Sequence, residues 1–531
     1  MFFNSRRSSV LSKQGMVATS QPLAAVAGLK MLMNGGNAVD AAVAAAAALA
    51  VVEPMSTGIG GDAFSLVWMA KEKKVHALNA SGRAPQAASV DELIGQGLTE
   101  IPSTSPYSVS IPGTVDGWID ILNKFGTMPI SEVLQPSIQY AESGFPVSEL
   151  IASQWAEGMA KLNQFPSGRE LSIDGEAPRH GQTIRLPELG TVLRNIAEGG
   201  RDAFYRGEVA QKMADFVQQI GGWITVEDLA QHTSNWEQPI ATDYRGLTCW
   251  ECPPNGQGLA ALIALNIAEG FDFGKLSHDS PERYHLLIET MHLAFADALA
   301  YIADPSAAHV PTERLISKSY ADERRSLIGD KASLLHVNPG NITNDGDTVY
   351  ISVVDGEGNA CSFINSLYQG FGSGLVVPGT GIALQNRAAL FSLVPDHPNV
   401  LAPGKRPFHT IIPAMATKDG ELCLSYGVMG GFQQAQGHLQ VINNIVDYGM
   451  KPQQSLDARR FSVVVGQGVA LEDDMNPETI DALQKLGHNI SLVSGHDRMM
   501  FGGAQLIQRD PESGVLWGAS EPRKDGRAIG F

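Results

Sequence analysis

Asp347-Thr348-Val349-Tyr350-Ile351-Ser352-Val353-Val354-Asp355-Gly356-Glu357-Gly358-Asn359-Ala360 is the stretch from which the rest of the chain is best read. Val349, Ile351 and Val353 alternate with Tyr350 and Ser352, the period of two that turns one face of a strand toward a core. Asp355-Gly356-Glu357-Gly358 carries turn residues, with glycines that tolerate positive φ, and 359–366 reads as a returning strand. The stretch predicts a hairpin whose first strand opens on Thr348. A threonine hydroxyl is a poor nucleophile until a base takes its proton. Cutting the Asp347–Thr348 bond would supply that base, because an α-amine titrates at about 7.7–8 and can accept the hydroxyl proton. The same hydroxyl can attack the Asp347 carbonyl to make the cut. From this hairpin alone, a threonine that merely opens a strand is the plainer account.

Just upstream, 338–346 has loop composition, and an exposed, mobile loop there is what a cut before Thr348 requires. Downstream, 369–374 is a glycine-rich loop, and 410–416 and 422–428 read as paired strands around Lys418-Asp419-Gly420. Met429-Gly430-Gly431 then precedes a helix over 435–448. Backbone N–H groups at such a turn suit a developing negative charge; close packing is the alternative reason for glycine. Further out, the patterning predicts helices over 22–33, 38–52, 130–144, 187–198, 208–220, 225–231 and 281–297, and strands over 63–69 and 75–79. A loop over 80–85 follows, and 110–118 starts another helix. The small side chains of 38–52 predict a buried helix.

Three motifs invite other chemistry. Ser56-Thr57-Gly58-Ile59-Gly60-Gly61-Asp62 looks like a phosphate loop, but a strand follows it where a helix is needed, so a tight turn near the active centre is expected. Cys249-Trp250-Glu251-Cys252 lacks the second pair of a zinc site and the context of a redox motif. His285, Glu289 and His292 share a helix face, yet this is not H-E-x-x-H and a full ligand set is missing; no metal and no cofactor is expected.

Composition sets outer limits. The 531 residues are 44% hydrophobic and 18% charged, below the usual quarter, and no Ser- or Pro-rich linker divides them. One large folded unit is expected. A net charge of -18 argues against nucleic acid or an anionic membrane as partner. The basic N-terminus is not followed by an apolar run, so no signal peptide is read and a cytoplasmic location is expected. The apolar run 38–52 is too short to span a bilayer.

The run Asp347 to Asp355 with Gly358-Asn359-Ala360, together with Gly35-Gly36-Asn37-Ala38-Val39-Asp40-Ala41-Ala42 and Gly518-Ala519-Ser520-Glu521-Pro522-Arg523, resembles the gamma-glutamyltranspeptidase family of N-terminal nucleophile hydrolases. The resemblance runs along nearly the whole chain. It implies an α+β fold, a four-layer α-β-β-α sandwich. It implies cleavage between Asp347 and Thr348, giving a large chain 1–347 and a small chain 348–531 that form one folded unit. Thr348 falls on the nucleophile, Gly430 and Gly431 on the oxyanion hole, and Ser366 on the hydroxyl that supports the nucleophile. A homodimer of the two-chain protomer is compatible with this reading.

The departures concern the substrate. The arginine that holds an α-carboxylate falls on Ser81, with Arg83 two residues later; the aspartate for an α-ammonium falls on Leu390. Paired serines fall on His409 and Thr410, and a substrate-contacting asparagine on Tyr368. Leu390 cannot pair an ammonium, and an unpaired charge in a partly buried pocket costs several kcal/mol. Arg387 and His409 bring positive or switchable character instead, and arginine grips a carboxylate through two parallel hydrogen bonds. The expectation is a small carboxylate-bearing amide without an α-amino group, of the oxamate type, as in the amidohydrolase branch. Alternatives are a γ-glutamyl hydrolase or transpeptidase that uses Arg83, and a non-catalytic relative.

Overall fold

The computed structural model describes residues 7–333 and 346–531; of the loop expected over 338–346, all but Gly346 lies outside the described residues. Two seven-stranded antiparallel sheets form the centre. The first has the order Arg527–Gly530, Gly15–Thr19, Gly346–Asp355, Ala360–Gln369, Asp62–Met69, Lys74–Ala80, Asn235–Glu237. The second has the order Val10–Ser12, Leu516–Ser520, Gly503–Arg509, Glu421–Met429, Ala414–Lys418, Leu247–Glu251, Ile240–Tyr244. The hairpin read from the sequence thus lies in the middle of the first sheet. Alternate residues explain why both its faces are covered. Val349, Ile351 and Val353 join the cluster under the helices, whereas Tyr350 and Val354 join Phe64, Ile364, Met415 and Ile507 between the two sheets.

The helix Ala38–Val52 packs on the outer face of the first sheet and is buried along its whole length. It starts at a capping box: Asn37 Oδ1 accepts from Val39 N and Asp40 N, and Asp40 Oδ2 accepts from Asn37 N at 2.8 Å. Small side chains let its neighbour Pro22–Met33 come close, since a Cβ on Gly28 would stand 2.9 Å from Ala41 O. Helices Gly258–Glu269 and Gln433–Val446 cover the second sheet around a separate apolar cluster. No described helix is long and apolar enough to cross a membrane. The four cysteines are free thiols, and Cys249 and Cys252 are buried in and just beyond a strand.

Several boundaries differ from the sequence reading for identifiable reasons. The helix expected over 130–144 divides into Ile130–Val133 and Gln135–Ser143, because Pro136 is tolerated only in a first turn. The helix expected over 187–198 runs on to Tyr205 through a kink at Gly200, where φ is 62°. The strand expected from 410 begins only at Ala414. Side chains take the preceding backbone groups: Gln257 Nε2 donates to Thr410 O, and Ile412 N donates to Gln434 Oε1. Helices Glu149–Leu162 and Gly258–Glu269 were not legible; the second is buried all round and so lacks an amphipathic period.

Candidate active site

The first strand of the hairpin is irregular where Thr348 sits. Asp347 pairs with Tyr368 and Val349 with Asn365, so the partner strand spends an extra residue and the ladder bulges at Thr348. Bulges re-aim side chains next to working sites. Here the bulge points Thr348 Oγ1 at Ser366 Oγ, 3.1 Å away, with Thr348 buried. Ser366 Oγ lies 2.9 Å from the carbonyl oxygen of Asp347, to which its hydroxyl donates. Tyr368 N donates to the same Oγ at 2.8 Å and Arg387 Nη2 at 3.0 Å. One serine oxygen therefore touches the threonine hydroxyl and the carbonyl that precedes it, while two N–H donors make its own proton more acidic.

Gly430 and Gly431 meet this strand from the second sheet. They follow the strand Glu421–Met429 with φ of 124° and 58°, backbone that favours glycine, and lead into the helix Gln433–Val446. A Cβ on Gly346 would come within 2.5 Å of Gly431 Cα and 2.7 Å of Gly431 N. Gly346, Asp347, Thr348 and Gly430 line one cleft of about 620 Å³, shared with Lys161, His496 and Lys524. Gly346→Ala must push the strand off the Gly430–Gly431 turn. A displacement near 1 Å costs roughly 10²-fold in a reaction that depends on position. The expected result is slower appearance of the two fragments in a time course on denaturing gels; an unchanged rate would contradict the close approach.

The residues assigned to substrate are distributed unevenly. Arg387 is buried; besides Ser366 it bonds Thr410 Oγ1 through Nη1 at 2.7 Å, its Nε has no partner among the described residues, and its guanidinium lies 4.6 Å from the Tyr368 ring centroid. Burial lowers its pKa to about 10, which leaves it cationic at neutral pH. Tyr368 adopts φ of 82°, unusual for a non-glycine residue. His409 does not supply the switchable charge expected of it. Burial, then the Arg387 and Arg406 cations, hold its pKa well below the ordinary value. Ile411 N donates to its Nδ1, so the proton sits on Nε2 and is given to Asp62 Oδ2 at 3.0 Å. Ser81 donates its hydroxyl to Asn79 Oδ1 at 2.7 Å and, like Arg387, Tyr368, His409 and Thr410, does not line the cleft. Arg83 lines a different hollow with Asp228, His232 and Gly404, where it bonds Thr233 O and Asn235 Oδ1. Leu390 packs, half-buried, at the edge of the second apolar cluster. The glycine-rich turn at 56–62 does approach the centre, because a Cβ on Gly61 would stand 2.3 Å from Ser366 O.

Glu53 and Lys524 were missed. Lys524 Nζ is 3.9 Å from Asp347 Oδ1. Glu53 follows the fully buried helix Ala38–Val52, accepts from Ser20 Oγ at 2.6 Å and is itself buried. A carboxylate at the end of an apolar helix was the available signal. Burial raises its pKa to about 7, against the pull of Lys524. The unfolded chain ionises this group near 4.5 and the folded chain near 7. Between those values the folded state holds the extra proton, so stability falls as pH rises through the window. The loss is at most about 3 kcal/mol, at 1.36 kcal/mol per pKa unit. Glu53→Gln is therefore expected to melt above wild type at pH 8 and with it near pH 4. Equal melting temperatures at both pH values would show that the carboxyl is not holding its proton.

The family model for gamma-glutamyltranspeptidase matches residues 24–531. The chain is 39% identical to the glutathione hydrolase-like YwrD proenzyme of Bacillus subtilis, over 98% of this chain and 99% of that protein. It is 36% identical to the oxamate amidohydrolase proenzyme of Klebsiella pneumoniae, over 99% and 100% of the two chains. Its structure matches that of a cephalosporin acylase from Bacillus halodurans with a TM-score of 0.93 at 45% identity, covering 99% and 97% of the two chains.

Proposed function

The chain belongs to the gamma-glutamyltranspeptidase family, and from that membership we propose that it is a precursor that cuts itself before Thr348 and then hydrolyses a small carboxylate-bearing amide. On this reading the two facing sheets and their outer helices are the four-layer α-β-β-α sandwich of N-terminal nucleophile hydrolases, built from chains 1–347 and 348–531 that stay together. The observation that carries it is the position of Ser366 Oγ, in contact with both Thr348 Oγ1 and the Asp347 carbonyl.

In the first step Thr348 Oγ attacks the Asp347 carbonyl carbon, and the peptide nitrogen leaves as the new α-amine; water then hydrolyses the resulting Asp347–Thr348 ester, which releases the Asp347 carboxylate and returns the Thr348 hydroxyl. The Ser366 hydroxyl polarises the carbonyl from one side, and the Gly430–Gly431 turn supplies N–H donors to the developing oxyanion. In the mature enzyme the freed amine takes the hydroxyl proton as Oγ attacks the substrate amide. That proton passes to the departing nitrogen, which leaves as ammonia or an amine. An ester to Thr348 remains. Water adds to it, gives its proton to the same amine, and releases the acid. Arg387, with Thr410 and Tyr368 around it, is assigned to the substrate carboxylate.

An amide of the oxamate type fits this arrangement best. Its carboxylate is bonded directly to the reacting carbonyl, and Arg387 stands one serine hydroxyl away from the carbonyl that Thr348 attacks first. A γ-glutamyl substrate is the second reading, supported by relatives named glutathione hydrolase at 32% identity. It needs an anion for the ammonium where this chain has Leu390. Ammonia release from oxamate against glutamate release from glutathione, measured on cleaved protein, separates them. Faster turnover of glutathione would reverse the assignment, and cleaved protein inactive on a broad panel of amides would favour a non-catalytic relative.

A further inference from the structure

The helix Pro281–Tyr301 gains from the fold what its own sequence lacks. His488, three residues beyond the helix Pro477–Lys485, is brought against His285 and Glu289, and the ligand-type atoms of these three buried residues all lie within 4.8 Å of one another. His488 Nδ1 is 3.9 Å from Glu289 Oε1, and His292 Nδ1 is 3.4 Å from the same oxygen. We propose that Glu289, His488 and His292 bind one divalent transition-metal ion of the zinc class, with His285 as the residue that orients His488.

The hydrogen bonds fix the proton positions. His285 Nε2 lies 2.8 Å from Gly329 O, a pure acceptor, so it carries the proton. In the neutral ring Nδ1 is then a lone pair, and it faces His488 Nε2 at 2.8 Å. His488 must donate through Nε2, which leaves its Nδ1 a bare lone pair aimed at Glu289 Oε1. Neither atom has a hydrogen-bond partner among the described residues, and both side chains are 1% exposed. Two buried acceptors that face one another, with only the His292 ring nitrogen at 3.4 Å within reach of one of them, are costly, and a cation between them relieves that cost. Ligands about 2.0–2.1 Å from a tetrahedral zinc stand about 3.3–3.4 Å apart; His292 stands 3.4 Å from the Glu289 oxygen and His488 3.9 Å, so His488 closes by about half an ångström when the ion binds. The other Glu289 oxygen is held by Ser333 N at 2.9 Å and by the Ser333 hydroxyl, and His285 holds the far nitrogen of His488. Outer-shell bonds of this kind orient metal ligands. His292 and His488 also line a cavity of about 240 Å³, which leaves a coordination position open to water or a small anion.

The test uses the whole protein, both wild type and the uncut Thr348→Ala chain, stripped with a chelator and titrated with zinc ions by calorimetry. One zinc per chain is expected for both forms, so the outcome does not depend on the amidase reading. Cobalt substitution should give visible absorption bands of a low-coordinate site. His292→Ala should weaken zinc binding at least tenfold while melting like wild type in chelator, since that ring is one-fifth exposed. His488→Gln should abolish binding, and His285→Ala should cost about 10–100-fold. If His488→Gln does not fold, His292→Ala decides. Absence of saturable zinc binding by wild type, or wild-type affinity in His292→Ala, overturns the proposal.

Discussion

Thr348→Ala is expected to yield a single uncut chain of 531 residues with no amidase activity above background. One oxygen atom is assigned two attacks, the first on the Asp347 carbonyl and the second on the substrate. Deleting it removes the nucleophile and, because the α-amine is never freed, also the base. Ser366, Arg387 and the Gly430–Gly431 turn stay in place but have nothing to assist, so the loss is expected to be on the order of 10⁴-fold or more. Thr348→Ser keeps an oxygen in the same position and should still give fragments 1–347 and 348–531, more slowly, because serine loses the methyl that restricts its rotamers. Intact mass spectrometry reads both results directly. A cut Thr348→Ala chain, or an uncut wild type with full activity, would remove Thr348 from the mechanism.

The parts of this site that were legible in the sequence are those fixed by local chemistry. The alternation around Thr348, the glycine pair before a helix and the small-residue run over 38–52 each report on their own neighbourhood, and the structure has them as a strand, a tight turn and a buried helix. Contacts between distant segments were not legible. Ser366, Arg387 and Thr410 form one hydrogen-bonded chain because an extended loop returns alongside the hairpin, and no periodicity announces that. His409 looked like a source of positive charge because a histidine near neutrality is ambiguous until its neighbours are known; burial, the Arg387 and Arg406 cations and a backbone N–H that donates to Nδ1 decide that it is neutral. Likewise His488 is 199 positions from Glu289 in the chain, and the pairing exists only through the fold.

The second large effect is expected at Arg387. A buried guanidinium that bonds two hydroxyls, has Asp62 as a charged neighbour but no hydrogen bond to it, and has no partner for its Nε among the described residues is costly to hold until a substrate anion meets it. Replacing it with glutamine should therefore leave the melting temperature level or slightly higher, while catalysis suffers. A bidentate arginine–carboxylate contact comprises two charge-assisted hydrogen bonds at about 1.5–3 kcal/mol each. Their loss corresponds to about 10²–10⁴-fold in kcat/KM, at 1.36 kcal/mol per decade. The informative comparison is between oxamate and oxamide, which differ in the carboxylate alone. If Arg387 holds that carboxylate, Arg387→Gln should lower kcat/KM for oxamate by this range and for oxamide by no more than about tenfold, the residue of its contact with Ser366. Equal losses on both substrates would mean that Arg387 acts only through the Ser366 hydroxyl, and the substrate carboxylate would then need another partner, with Lys524 on the cleft wall the nearest cation to Asp347 among the described ion pairs.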